Sequence, residues 1–217
     1  MTQSVRSENR GEDFYPLEGY KPKPHRFTIS DLERMIEVGI IREGARVELM
    51  EGELLEMNAM FNPHYQAVLS LDDEFRERFQ GKARIANQLP IRLENGNQPL
   101  PDFHLLPLTH ARNRIAEAHE SLLLVEISDS TLRYDQNQKL HNYALSKGRE
   151  YWIIDLKNRR LEIHRRPLGR DYLEKVTLFP GQTARPLEFP EVEVHWDVAL
   201  MDPDSTELET TPDDSGG

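Results

Sequence analysis

The chain has 217 residues, with 38 acidic and 27 basic side chains, a net charge of −11 and no cysteine. The missing thiol excludes disulfides, thiolate zinc sites and a cysteine nucleophile, and it agrees with a cytoplasmic protein. Six of the acids lie in the closing stretch DPDSTELETTPDDSGG (202–217), so the body is only mildly acidic, which argues against a globally basic nucleic-acid binder.

Residues 1–25 contain Pro16, Pro22 and Pro24 without apolar periodicity and read as a poorly ordered arm. They lack an apolar signal core, and no later run approaches the length of a membrane span, so a soluble protein without an export signal is expected. The expected organisation is this arm, one domain over 26–201, and a disordered acidic tail over 202–217.

The stretch TISDLERMIEVGI (28–40) predicts a short helix with Ser30 and Glu33 as its capping box. VELMEGELLEM (47–57) predicts a hairpin turning at Glu51–Gly52. NPHYQAVLSLDDEFRERFQG (62–81) predicts an amphipathic helix, capped by Asn62, with Pro63 in its first turn and Gly81 as its stop. Strands are expected in ARIANQLPIRL (83–93), bent or broken by Pro90, and in DFHLLP (102–107). An apolar strand (121–127), a helix from about Tyr134 to Ser146 and the strand EYWIIDL (150–156) form a strand–helix–strand unit with parallel strands. RRLEIHRR and DYLEKVTLF read as a polar hairpin added outside. The fold class is therefore α/β, a mixed β-sheet flanked by helices with an additional β-hairpin.

Within the apolar run LLLVEI (122–127), Glu126 demands explanation. A buried, unpartnered carboxylate resists ionisation, so it either goes neutral or finds a cation. Asp102, at the head of FHLL, would meet Glu126 if the two short strands are neighbours. Two facing carboxylates suit a hard divalent ion such as Mg²⁺, completed by water and phosphate oxygens. The bland alternative is a turn-capping Asp102 and a Glu126 paired with a basic side chain. In the following helix Asp135, Lys139 and Tyr143 share one stripe, and neighbouring Leu140 and Ala144 put Lys139 at the border of the buried face. Taken alone, this is a surface Asp–Lys pair. His104 should point to the same side as Asp102 and reads as an ordinary strand residue or as an added ligand. The basic run KNRRLEIHRRPLGR (157–170) reads as a solvated hairpin or a phosphate-contacting edge, with Arg160, Glu162, His164 and Arg166 on one face.

Together, VELMEGELLEM, the Pro101–Asp102 pair, and the motif spread over Val125, Glu126, Ser128, Ser130, Thr131, Asp135, Lys139 and Tyr143 resemble the Uma family. Glu150, Tyr151, Trp152 and Asp155 close the motif. This is a family of restriction-endonuclease-like proteins in the PD-(D/E)XK superfamily, and the match spans about residues 27–165. The resemblance implies Asp102 and Glu126 as catalytic, metal-holding acids, with Lys139 replacing the lysine that the superfamily usually places two residues after the second acid, where this chain has Ser128. Glu48 and His64 match auxiliary positions. A hairpin Glu is ordinarily solvated, and a His near a helix start is ordinarily structural.

The expected function is thus Mg²⁺-dependent hydrolysis of nucleic-acid phosphodiester bonds, in DNA, with Mn²⁺ as a substitute metal and a homodimer as the assembly. The alternative is a catalytically silent member acting as a DNA-binding or oligomerising module. A glycosidase-like carboxylate pair would instead need an aromatic-lined cleft without a lysine, and the motif speaks against it.

Overall fold

The structure, a computed structural model, describes residues 23–57 and 62–200. Residues 1–22 of the expected arm, the expected tail and the side chain of the expected cap Asn62 fall outside the described residues. Helix α1 (Ile29–Glu37) starts two residues before its expected cap. Thr28 has the extended backbone a cap needs, its Oγ1 accepts from the Asp31 amide, and Asp31 accepts in return from the Thr28 amide at 2.8 Å. The short Asp31 closes the box as well as a glutamate would, which leaves Ser30 inside the helix.

The hairpin of β1 (Val47–Met50) and β2 (Glu53–Glu56) turns at Glu51–Gly52 as expected. Both turn residues have positive φ, 52° and 77°, the geometry whose twist matches a two-residue hairpin. Gly52 has a second reason to lack a side chain, because a Cβ there would lie 2.6 Å from Cβ of Arg26.

Helix α2 (Asn62–Phe79) buries Ala67, Val68, Leu71, Phe75 and Phe79 against one face of a six-stranded sheet. In spatial order the sheet runs β10 (Asp171–Leu178), β9 (Arg160–Leu168), β8 (Glu150–Asp155), β7 (Leu123–Ser128), β5 (Phe103–Pro107), β3 (Ala83–Asn87). Only β7 and β8 pair in parallel, as the strand–helix–strand unit requires. Chain reversal at Gln88, with φ 50°, and Pro90 split the expected strand 83–93. Its second part, β4 (Ile91–Arg92), pairs with β6 (Ala116–Glu117) in a separate two-stranded sheet. At the opposite edge β9 and β10 form the additional hairpin. Its inner strand is not solvated: Leu161 and Ile163 enter one core while Glu162 and His164 are buried on the other face.

The connection between β7 and β8 is a helix over 132–145, an α-turn (Leu132–Tyr134), a π-helical stretch (Asp135–Lys139) and an α-helical end (Leu140–Leu145). It covers the second face of the sheet, where Leu140, Tyr143 and Ala144 pack with Leu124, Tyr151 and Ile153. The stretch 184–200, which has no legible periodicity, returns Val192, Val194, Trp196 and Ala199 to the α2 face. Among the described residues no helix is long and apolar enough to cross a membrane.

Candidate active site

Strand β7 alternates with consequence. Leu123, Val125 and Ile127 enter the α2 core, whereas Leu124 enters the opposite core, and Glu126 follows it on that side. In the antiparallel pairing of β5 with β7, Phe103 faces Val125 and His104 faces Leu124. One further step of that register puts Asp102 opposite Glu126, with Cβ atoms about 5 Å apart in such a pair. The amide of Ile127 donates to Asp102 Oδ2 at 2.9 Å and ties the two positions together.

Lys139 reaches the same point from the 132–145 helix. Its Nζ lies 2.9 Å from Glu126 Oε1, 3.0 Å from Glu48 Oε1 and 4.0 Å from Asp135 Oδ1. The lysine is only 2% exposed, so the expected border position is corrected to an interior one. The cause is the π-helical stretch. In a regular α-helix positions i and i+8 drift apart by about 80°. The wider π turn takes back part of that rotation, so Asp135, Lys139 and Tyr143 all face the sheet. Tyr143 donates its O–H to Glu126 Oε1 at 2.7 Å, and Asp135 accepts from the hydroxyls of Ser128 and Thr131 at 2.7 and 2.6 Å.

Glu48 also departs from the solvated reading, being fully buried. The Leu100 amide and the Tyr134 hydroxyl satisfy its two oxygens, at 2.9 and 3.2 Å. His64, in the first turn of α2, has Nε2 3.1 Å from Asp102 Oδ2. Gln88, which sequence reasoning missed, completes Asp102's surroundings by donating to Oδ1 at 3.3 Å. No pattern announces it, because its place depends on the left-handed backbone at the end of β3. His104 shares the Asp102 face but lines a separate cavity, with Ser121 as its hydrogen-bonding neighbour. The basic run is partly committed internally, Arg160 to Asp155 and Glu162, and Arg165 to Glu150.

These groups line a cleft of about 270 Å³ whose walls include Arg46, His64, Asp102, Glu126, Tyr134 and Lys139. Burial pushes the Glu126 carboxyl well above the ordinary range; Lys139 opposes this, while Asp135, Asp102 and Glu48 add to it. Burial would discharge Lys139, yet the carboxylates of Glu126, Glu48 and Asp135 outweigh it and hold the ammonium charged. Asp102 is buried too, but the hydrogen bond and charge of His64, the Ile127 amide and Lys139 pull its carboxyl below the usual range. His64 is raised in turn: the Asp102 hydrogen bond and charge overcome its desolvation. Four carboxylates thus gather around one ammonium and one imidazole.

The donor set bears on metal binding. Among the described residues no three His, Asp or Glu side chains converge as a ready metal cage. The opposed pair of Asp102 and Glu126 supplies two hard oxygen ligands, the number from which Mg²⁺ is ordinarily held alongside water and substrate phosphate. Glu126 Oε1 is engaged by Lys139 and Tyr143, which leaves Oε2 on the cleft side without a described hydrogen-bond donor. The excess of negative charge fits a cation.

The family model described as "Uma2: Putative restriction endonuclease" matches residues 29–199, most of the chain. The chain belongs to the Uma2 family. Among solved structures, this Uma2 chain is similar to a "putative nuclease belonging to DUF820" from Anabaena variabilis, with a TM-score of 0.58 and 13% identity. That alignment covers 71% of this chain and 91% of the other, and the likeness is one of fold. A fainter similarity, with a TM-score of 0.33 and 10% identity, is to the type IIG restriction endonuclease BpuSI, over 50% of this chain and 13% of that one. No functionally curated protein matches.

Proposed function

We propose that this Uma2 protein is a metal-dependent endonuclease that hydrolyses phosphodiester bonds in nucleic acid, with DNA as the substrate. One observation carries the reading: two carboxylates stand opposite each other on neighbouring strands, at the mouth of a cleft, with a charged ammonium 2.9 Å from one of them. Asp102 and Glu126 would hold Mg²⁺, with Mn²⁺ as a substitute. When bound, the ion supplies Lewis-acid stabilisation of phosphate charge and a more acidic water.

The chain's own groups have separable tasks. Lys139, kept charged by three neighbouring acids, is not a general base. It offers N–H to phosphate oxygen or orients the attacking water, and its charge favours a transition state richer in negative charge. Protonated His64 keeps Asp102 ionised. Tyr143 and Lys139 together hold Glu126 Oε1, which turns Oε2 towards the metal position. Glu48 fixes Lys139 from the far side.

A twofold pair of such domains, free in the cytoplasm, would present one site to each strand of a duplex. The catalytically silent reading has one observation in its favour, that Lys139 already donates to two acids. Cleavage of supercoiled plasmid with Mg²⁺ or Mn²⁺, abolished by EDTA and by Asp102→Asn, is the expected result. Intact plasmid under every metal condition, with the protein folded, would favour the silent reading.

A further inference from the structure

A second cavity, of about 600 Å³, opens beside β3 and β5 and is walled by the 107–116 loop. His104, two residues along β5 from Asp102, lies in its lining on the Asp102 face, about 7 Å of strand away. His104 is 2% exposed, and its Nε2 is buried without a hydrogen-bond partner. His110, whose side chain is also buried, presents a second unpartnered Nε2, 3.6 Å from Glu120. Buried polar atoms in native proteins are nearly always satisfied, so two orphaned imidazole nitrogens in one cavity lining point to a missing partner. A metal cage is not that partner, since no three ligand side chains converge among the described residues. Ile85, Leu106 and Ile115 give the cavity apolar walls, while Arg84 and Arg112 bring guanidinium groups to it.

This combination suits a flat heteroaromatic ring rather than an inorganic ion or a purely apolar molecule. The ring faces would stack on aliphatic and guanidinium surfaces, and its edge nitrogens or carbonyls would meet the imidazoles. Burial holds His104 down at about 4, with the nearby His110 adding to the effect, so its ring is neutral at physiological pH and has both a donor and an acceptor to offer. The Arg84 guanidinium, anchored on the His110 carbonyl, would meet an adjoining phosphate.

We propose that this cavity takes one unstacked nucleobase, close along the strand to the phosphate held at Asp102 and Glu126. The source of that base, a substrate strand, rests on the nuclease reading above; the base-binding chemistry does not. The cavity would make cleavage depend on the identity or presence of one base near the cut.

The test follows the ring resonances of ¹³C-labelled histidines, assigned with His104→Gln and His110→Gln, in the full chain. The probes are the four deoxynucleoside 5′-monophosphates, with inorganic phosphate as the control. Saturable shifts of His104 and His110 with at least one nucleotide, absent with phosphate alone, are expected. Ala111→Trp, which fills the cavity from its exposed loop, should weaken that binding roughly tenfold or more. Asp102→Asn should abolish plasmid cleavage yet leave the shifts. Failure of all four nucleotides to move either histidine, or equal shifts with phosphate alone, would overturn the proposal even for a protein that cuts plasmid. Nucleotide shifts in a protein that cuts nothing would support the cavity and overturn the nuclease reading.

Discussion

The two faces of strand β7 are built from alternate residues of one six-residue segment, and they obey different physics. On the α2 side Leu123, Val125 and Ile127 meet Phe75, Phe103 and Trp152 in a wholly apolar core. On the other side Leu124 is followed by Glu126, which joins a buried charge cluster reaching back to Glu48 in the first hairpin. The first face is held by area removed from water and tolerates similar shapes. The second is held by mutual dependence of charges, in which loss of one partner leaves the others buried and unpaired. Stability and chemistry are therefore separated by the pleat of a strand rather than by distance.

Substitutions can break that contrast. Lys139→Ala should have the largest effect, about 3–5 kcal/mol of stability, because four carboxylates lose their shared ammonium. Urea unfolding measures it, and a loss under 1 kcal/mol would mean that the acids are neutral rather than ion-paired. The interior position of Lys139 makes a stability-neutral alanine variant unexpected. Leu71→Ala, on the apolar side, should cost about 2–5 kcal/mol through its cavity. This loss should not change between pH 5 and 8, whereas that of Lys139→Ala should.

Glu126→Gln should act in the opposite direction. The folded pKa of Glu126 lies well above the ordinary 4.5, so the folded state holds this proton more tightly than the unfolded chain. Stability then falls as pH rises from about 4.5 to the raised folded value, and it is flat outside that window. In EDTA at neutral pH the glutamine variant should melt a few degrees higher than the wild type and show a flatter profile across that window, because like-charge repulsion is deleted. A lower melting temperature with an unchanged profile would mean that Glu126 stabilises the cluster as a carboxylate. The smallest effect belongs outside both faces: Thr28→Ala should cost about 1 kcal/mol by removing the α1 cap. Ser30→Ala, if it cost as much, would relocate the cap.

Sequence alone revealed the acids and the lysine through their spacing, since Glu126 interrupts an apolar strand and a carboxylate there needs a reason. It also revealed the parallel β7–β8 unit, because a continuous apolar run followed by a helix and another apolar run has few other solutions. It did not reveal how deeply the site is buried. Glu48 sits in a hairpin whose residues look exposed, and only packing against Leu100 and Tyr134 encloses it. The depth of Lys139 depends on a π-helical stretch that a 3.6-residue period does not contain. Trp196 and its neighbours were illegible for a related reason: their burial follows from a long irregular return across α2, which carries no repeat.

The π-helical stretch Asp135–Lys139 has one more consequence, for how this segment can change length. Each of its turns spends one residue more than an α-turn, so removing a single residue between Asp135 and Lys139 would let the helix relax to ordinary geometry at little cost to its own hydrogen bonding. The same deletion would rotate everything after it by about 100°, carrying Tyr143 off Glu126 and turning an apolar neighbour towards the carboxylates. The segment therefore tolerates replacement of residues better than a change in their number, and the spacing between Glu126 and Tyr143 works as a ruler.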